Sequence, residues 1–201
     1  MRVALFGGSF NPVHVGHLAL AEEAREACRL DRVVFMPAAR PPHKPEAGLA
    51  PGRDRMALVQ RAIAGNPAFE ASDLELLRPG PSYTVETLAA LKAALPRHGK
   101  LFLILGQDSV LDLPGWREPA RILSLAGLIV ATRPGFPTAI PRAVRRLLPR
   151  GSRPLRAPVR VDVSGTAIRS RLEAGGSVRY LVPDAVLREI RRRGLYGTGE
   201  R

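Results

Sequence analysis

The sequence predicts an α/β fold, one domain built on a doubly wound, mostly parallel sheet with helices on both faces. Apolar runs of strand length recur at residues 3–6, 32–36, 101–105 and 127–131, and helical patterns lie between them. Two of these runs stop at glycine, Gly7-Gly8 and Gly106, where an open parallel sheet takes its ligand. The size and composition fit this reading: 201 residues, 45% hydrophobic and 24% charged, suffice for one soluble domain with a substantial core.

The first strand, residues 3–6, turns at Gly7-Gly8, where two residues without a Cβ let a ligand reach the backbone. Pro12 ends the turn, and an amphipathic helix is expected from about His14 to Cys28. His14 and His17, three apart, share one face of its first turn, beside the unpaired amides and positive dipole end. Strand, glycine turn, helix start and two imidazoles together make a phosphate site.

Residues 32–36 give the second strand and complete a strand–helix–strand unit. The proline-framed loop 37–45 follows and carries His43 and Lys44. A helix over 53–64, an alternating strand over 69–73 and a helix from Ser82 to about Leu95 come next, with Ser82 as candidate N-cap. Capping alone accounts for Thr87. Residues 101–105, the most apolar run, belong in the centre of the sheet. Beyond them, Gly106 leaves room for a nucleotide on the backbone, and Asp108 could accept hydrogen bonds from ribose hydroxyls or merely cap a short helix over 109–113. Trp116, the one tryptophan, sits in a Gly115-Trp116-Arg117 loop, a poor place for a core residue. The strand over 127–131 leads to Arg133 at the same edge of the sheet. Residues 134–158 form an irregular basic segment with a short helix over 141–148, and residues 159–163 alternate as the last strand. In the C-terminal part, 164–196, a Ser164-Gly165-Thr166 turn opens a helix, a second N-terminus offered to an anion. Arg169 falls about one turn inside, with a guanidinium suited to phosphate. A final helix runs to about Arg193.

Composition narrows the function. No apolar run approaches the roughly 18 residues of a membrane span, and Met1-Arg2 leads straight into polar sequence, not a secretory leader. Cys28, the one cysteine, reads as a small buried helix residue in a reducing, cytoplasmic setting. The net charge of +13 comes almost wholly from arginine, with seven between Arg142 and Arg160 and no acid among them. Without interleaved aromatics or zinc-finger spacing, this reads as a solvated surface that attracts anionic substrates, and no specific nucleic-acid partner is expected.

The segment from Gly7 to His17 resembles the signature of the H-x-G-H nucleotidyltransferases. The remaining motifs resemble the bacterial nicotinate-nucleotide adenylyltransferases in particular, in the expected order over nearly the whole chain. That family more often has Thr, Asp and Ser where this chain has Ser9, Asn11 and Gly165. The resemblance implies a Rossmann-like fold and adenylyl transfer from ATP to nicotinate mononucleotide, giving the deamido dinucleotide and pyrophosphate. It implies that His14, His17 and Arg169 are catalytic. ATP would meet Gly7, Gly8, Ser9, Phe10, both histidines, Gly106, Asp108, Ser164, Thr166 and Arg169. Lys44, Tyr83, Thr84 and Trp116 would hold the mononucleotide, with tryptophan stacked on the pyridine. Mg²⁺ would ride on the ATP phosphates. The alternatives are a related enzyme with another phosphorylated acceptor, such as phosphopantetheine, or an RNA-binding module. The Tyr83-Thr84 and Trp116 matches speak against the first. Against the second, a tRNA-synthetase core should carry a lysine-rich loop, and no lysine follows Lys100.

Overall fold

The computed structural model describes residues 1–39, 48–132, 139–150, 154–158, 161 and 163–199. Among these, six parallel strands form one sheet: β1 (Arg2–Gly8), β2 (Arg32–Pro37), β3 (Phe69–Ala71), β4 (Lys100–Gly106), β5 (Gly127–Thr132) and β6 (Leu155–Pro158). Their order is β3-β2-β1-β4-β5-β6, so the chain winds outward from β1 to one edge and then from β4 to the other. The crevice between the carboxyl ends of β1 and β4 is the switch point of such a sheet.

Alternation along the strands builds two cores, because successive side chains point to opposite faces. Ala4, Phe6, Val33, Phe35, Phe102, Ile104 and Ile129 face one way. They are covered by α1 (Val15–Ala27), α2 (Gly52–Ile63), α8 (Gly165–Glu173) and α9 (Asp184–Arg192). Val3, Leu5, Val34, Leu101, Leu103, Leu105, Leu128 and Val130 face the other way. There the cover is α4 (Thr84–Ala94), α5 (Gln107–Asp112), α6 (Pro119–Leu125) and α7 (Arg142–Leu147). A one-turn helix, α3 (Leu74–Leu77), precedes α4, and a 3-10 turn, Leu113–Gly115, follows α5. Each buried leucine, isoleucine or valine contributes about 1.5–3 kcal/mol to this arrangement.

Three local expectations are corrected. Residues 155–158, within the stretch read as irregular, form β6, while the strand expected at 159–163 lies largely outside the described residues. Pro154 and Pro158 argue against a strand, but β6 is an edge strand, where a missing N–H need not break a ladder. Ser82 is not the N-cap of α4. That position is Tyr83, while Ser82 is buried and its hydroxyl oxygen accepts from the Ala39 amide at 3.0 Å. The helix expected at 109–113 begins earlier, at Gln107, with Gly106 as its N-cap.

The C-terminal helix is held to α2 by charge as well as by apolar contact. Glu189 takes hydrogen bonds from Arg192 and Arg193, and Arg193 also pairs with Asp54 on α2. These two arginines hold the Glu189 carboxyl down to about 2, outweighing the effect of its burial. No helix among the described residues is long and apolar enough to cross a membrane.

Candidate active site

The turn after β1 is the centre of the site. Among the described residues nothing lies within 4 Å of where a Cβ on Gly7 would sit, so packing does not demand glycine there. Gly7 borders the cleft. A Cβ on Gly8 would meet the Phe10 ring at 3.2 Å. Phe10 has a left-handed backbone, φ 45°, which turns its ring back into the core against Phe6 and Phe35. The ring also meets His17 edge-on at 5.0 Å. Only the Phe10 backbone is therefore available to a nucleotide, and its side chain buttresses a histidine.

His14 is the N-cap of α1 and is buried; His17, at the third helical position, is half-buried. Their rings stack at 3.7 Å between centroids, 27° apart in plane. The His14 amide donates to His17 Nδ1 at 3.3 Å. An Nδ1 that accepts a hydrogen bond carries no proton, so in the neutral ring the N–H belongs to Nε2. Of the two residues between them, Gly16 is fixed by the same geometry: a Cβ there would meet His14 Nδ1 at 3.1 Å and Cε1 at 3.2 Å.

The second helix start, α8, meets this turn directly. Ser164 caps it, its oxygen accepting from the Ala167 amide at 3.1 Å. Arg169 donates from one nitrogen to the Asn11 carbonyl at 2.7 Å and from another to Thr166 Oγ1 at 3.3 Å. His14, His17 and the Ser164–Thr166–Arg169 group, separated by some 150 residues of sequence, are thus joined through Asn11.

Across the switch point, Gly106 ends β4 and Asp108 is exposed on α5. Asp108 Oδ1 lies 2.6 Å from where a Cβ on Gly106 would be, so the glycine makes room for the carboxylate to fold back over the strand end. A cleft of about 240 Å³ runs from Gly7-Gly8-Ser9 past Asp108 to Tyr83, Thr84 and Trp116. Tyr83 and Trp116 pack one side on the core and line the cleft with the other. Lys44 and Arg133 lie outside the described residues.

Sequence reasoning missed several members of this site. Arg55, read only as part of the helix over 53–64, is 1% exposed and donates to three carbonyls: Ser9 at 2.8 Å, Ala38 at 2.7 Å and Ala50 at 2.8 Å. It ties the β1 turn to the end of β2 and to the approach to α2. Burial lowers its pKa. Glu75, also buried, borders the cleft and accepts from Thr87 Oγ1 at 2.7 Å. Burial raises its carboxyl, against the Thr87 and Ser82 hydroxyls and the Arg78 charge, which pull it down. Arg117 extends over the Tyr83 ring, 4.5 Å from its centroid. Only a Glu or Arg at an otherwise apolar helical position could have signalled the first two.

The chain matches the cytidylyltransferase-like family over residues 5–171. A Thermus thermophilus protein, named as a probable nicotinate-nucleotide adenylyltransferase, is 46% identical over 196 residues, covering 98% of this chain and 100% of its own. A protein of the same name from Syntrophotalea carbinolica is 43% identical over 221 residues, with both chains fully covered. The chain belongs to the nicotinate-nucleotide adenylyltransferase family. The fold agrees: Plasmodium falciparum nicotinic acid mononucleotide adenylyltransferase, complexed with NaAD, superposes with a TM-score of 0.80 over 98% of both chains at 16% identity.

Two of the chain's departures from the usual pattern of nicotinate-nucleotide adenylyltransferases touch each other. A Cβ on Gly165 would meet the Asn11 carbonyl at 2.9 Å, too close for any residue but glycine with that carbonyl in place. The Asn11 side chain uses both ends of its amide. Nδ2 donates to the Gly48 carbonyl at 2.8 Å, while Oδ1 accepts from the Ala50 amide at 3.1 Å and the Tyr196 hydroxyl at 2.9 Å. An ionised aspartate could not supply the donor.

Proposed function

We propose that this chain transfers the adenylyl group of ATP to the 5′-phosphate of nicotinate mononucleotide, releasing pyrophosphate. An acceptor phosphate oxygen forms the new bond to the α-phosphorus, and the bond from that phosphorus to the oxygen bridging to the β-phosphate breaks. The acceptor is already an anion, so no general base and no covalent enzyme intermediate are required. The protein supplies alignment and neutralisation of charge in the transition state.

The observation that carries this reading is the meeting of two helix starts. The stacked His14–His17 pair opens α1, and Arg169, bonded to the Asn11 carbonyl, projects from α8 onto the same turn. The His17 Nε2–H and the His14 ring act on the α-phosphate and the bridging oxygen. Arg169, Thr166 and the first amides of α8 hold the β- and γ-phosphates. Gly7 and Gly8 admit the phosphates to the backbone, Asp108 accepts from the ribose, and the adenosine packs at Gly106. Tyr83, Thr84 and Trp116 take the pyridine ring, with Lys44 as a further cation for the acceptor phosphate.

ATP chemistry of this kind employs Mg²⁺. Among the described residues no three His, Cys, Asp or Glu side chains converge to hold a metal ion. The ion is proposed to ride on the phosphate oxygens of ATP. The deciding experiment is pyrophosphate release with ATP and nicotinate mononucleotide, run beside phosphopantetheine as acceptor. Turnover with the first alone is expected; turnover with phosphopantetheine alone would refute the assignment.

A further inference from the structure

Arg117 follows Trp116 directly and lines the same cleft as Tyr83, Thr84 and Trp116. Its guanidinium carbon lies 4.5 Å from the Tyr83 ring centroid, a cation–π contact that fixes the head group at the rim of the pocket. It forms an ion pair with Glu86 on α4, at 3.5 Å. That carboxylate also faces Arg78, at 3.6 Å. Two arginines share one acid, so the group keeps a net positive charge.

Stability does not account for the arrangement. The Arg117 side chain is 53% exposed and its partner 40% exposed, and ion pairs in such surroundings contribute little to folding. The other acid at this end of the cleft, Glu75, is turned away into hydrogen bonds with Thr87 and Ser82, and burial favours its neutral form. Asp108 borders the cleft from the start of α5, beside the end of β4, where the ribose is proposed to bind, and Asp112 borders it from the last residue of that helix. Beside Tyr83, Arg78 and Arg117 together outweigh the charge of Glu86.

We propose that Arg117 is a specificity-determining residue, supplying the counter-charge that favours a ring carboxylate over a ring amide on an aromatic group stacked at Trp116. The inference rests on the nicotinate reading of the acceptor given above. A guanidinium at the rim attracts an anionic substituent by charge and by paired N–H donors, whereas a neutral amide accepts from it only through its carbonyl oxygen.

The test is kcat/KM for nicotinate mononucleotide and for nicotinamide mononucleotide in wild type, Arg117→Gln, Arg117→Lys and Glu86→Gln. Wild type should prefer the nicotinate form. In Arg117→Gln its efficiency should fall about tenfold, the scale of one hydrogen bond to a charged group, while the nicotinamide form changes by no more than about threefold. Arg117→Lys should recover part of the preference. Glu86→Gln removes the competing acid, so the preference should rise roughly two- to fivefold, a gain that a purely structural role would not give. A preference unchanged in Arg117→Gln, an equal fall for both acceptors, or a lower preference in Glu86→Gln overturns the proposal. A wild-type enzyme without preference instead overturns the acceptor reading on which it rests.

Discussion

Replacing Gly16 by alanine should separate catalysis from folding. The added methyl would lie 3.1 Å from His14 Nδ1, 3.2 Å from its Cε1 and 3.6 Å from Val163 Cβ. Comfortable carbon contacts begin near 3.5 Å, so the imidazole must retreat by about 0.4 Å, out of its stack on His17. A misplacement of about 1 Å in an aligned site can cost a hundredfold in rate, so a shift under half that size should lower kcat about tenfold. On the folding side two effects oppose each other. Overpacking destabilises by about 1–3 kcal/mol, whereas alanine is preferred over glycine by up to about 1 kcal/mol inside a helix and by less in its first turn. Because the neighbour is one ring edge bordering the cleft turn, the smaller overpacking value applies, and the melting temperature should fall by only a few degrees. The assay is kcat at saturating ATP and mononucleotide, paired with thermal unfolding. Gly65→Ala is the control: among the described residues nothing lies within 4 Å of that Cβ, so activity should be unchanged. A Gly16→Ala enzyme with kcat within twofold of wild type would refute the claim that the His14 ring must sit where it does.

Other perturbations probe the same frame. His17→Ala should lower turnover by about a hundredfold or more with little loss of stability, the scale of removing one preorganised donor; survival within a few fold would place the chemistry elsewhere. Tyr196→Phe removes the hydroxyl that donates to Asn11, so ATP use should weaken roughly fivefold with acceptor KM unchanged, and equal losses for both substrates would argue against that path. Glu189 has a folded pKa of about 2 against an ordinary 4.5, so its contribution to stability is complete above about 4.5 and is lost as pH falls from there towards 2. The stability gap between wild type and Glu189→Gln, measured by thermal unfolding, should therefore close across that window; a constant gap would refute the linkage.

The four central strands, β1, β2, β4 and β5, were legible because each carries apolar residues on both faces of a sheet covered on both sides, which leaves little ambiguity in runs such as 101–105. The glycine turn before α1 and the Ser164–Thr166 turn were legible because their glycines, histidines and hydroxyl cap lie within a few residues of one another. Arg55, Glu75 and Tyr196 were not, since their partners lie far away in sequence and a charged residue on a helix reads as solvent-facing until the fold surrounds it. The sixth strand was missed for a different reason. Its prolines carry the usual signal of a loop, and only its place at the sheet edge makes them tolerable.

The bond between Tyr196 and Asn11 spans 185 positions. During synthesis, the glycine turn and the first helix leave the ribosome long before the residue that secures them. A chain that has folded its sheet but has yet to dock its last helix would have its histidines without the full support of the turn. ATP affinity should then report completed folding more stringently than circular dichroism or burial of Trp116 does. Trimming the final helix should likewise yield a protein that keeps much of its secondary structure and little of its enzymology.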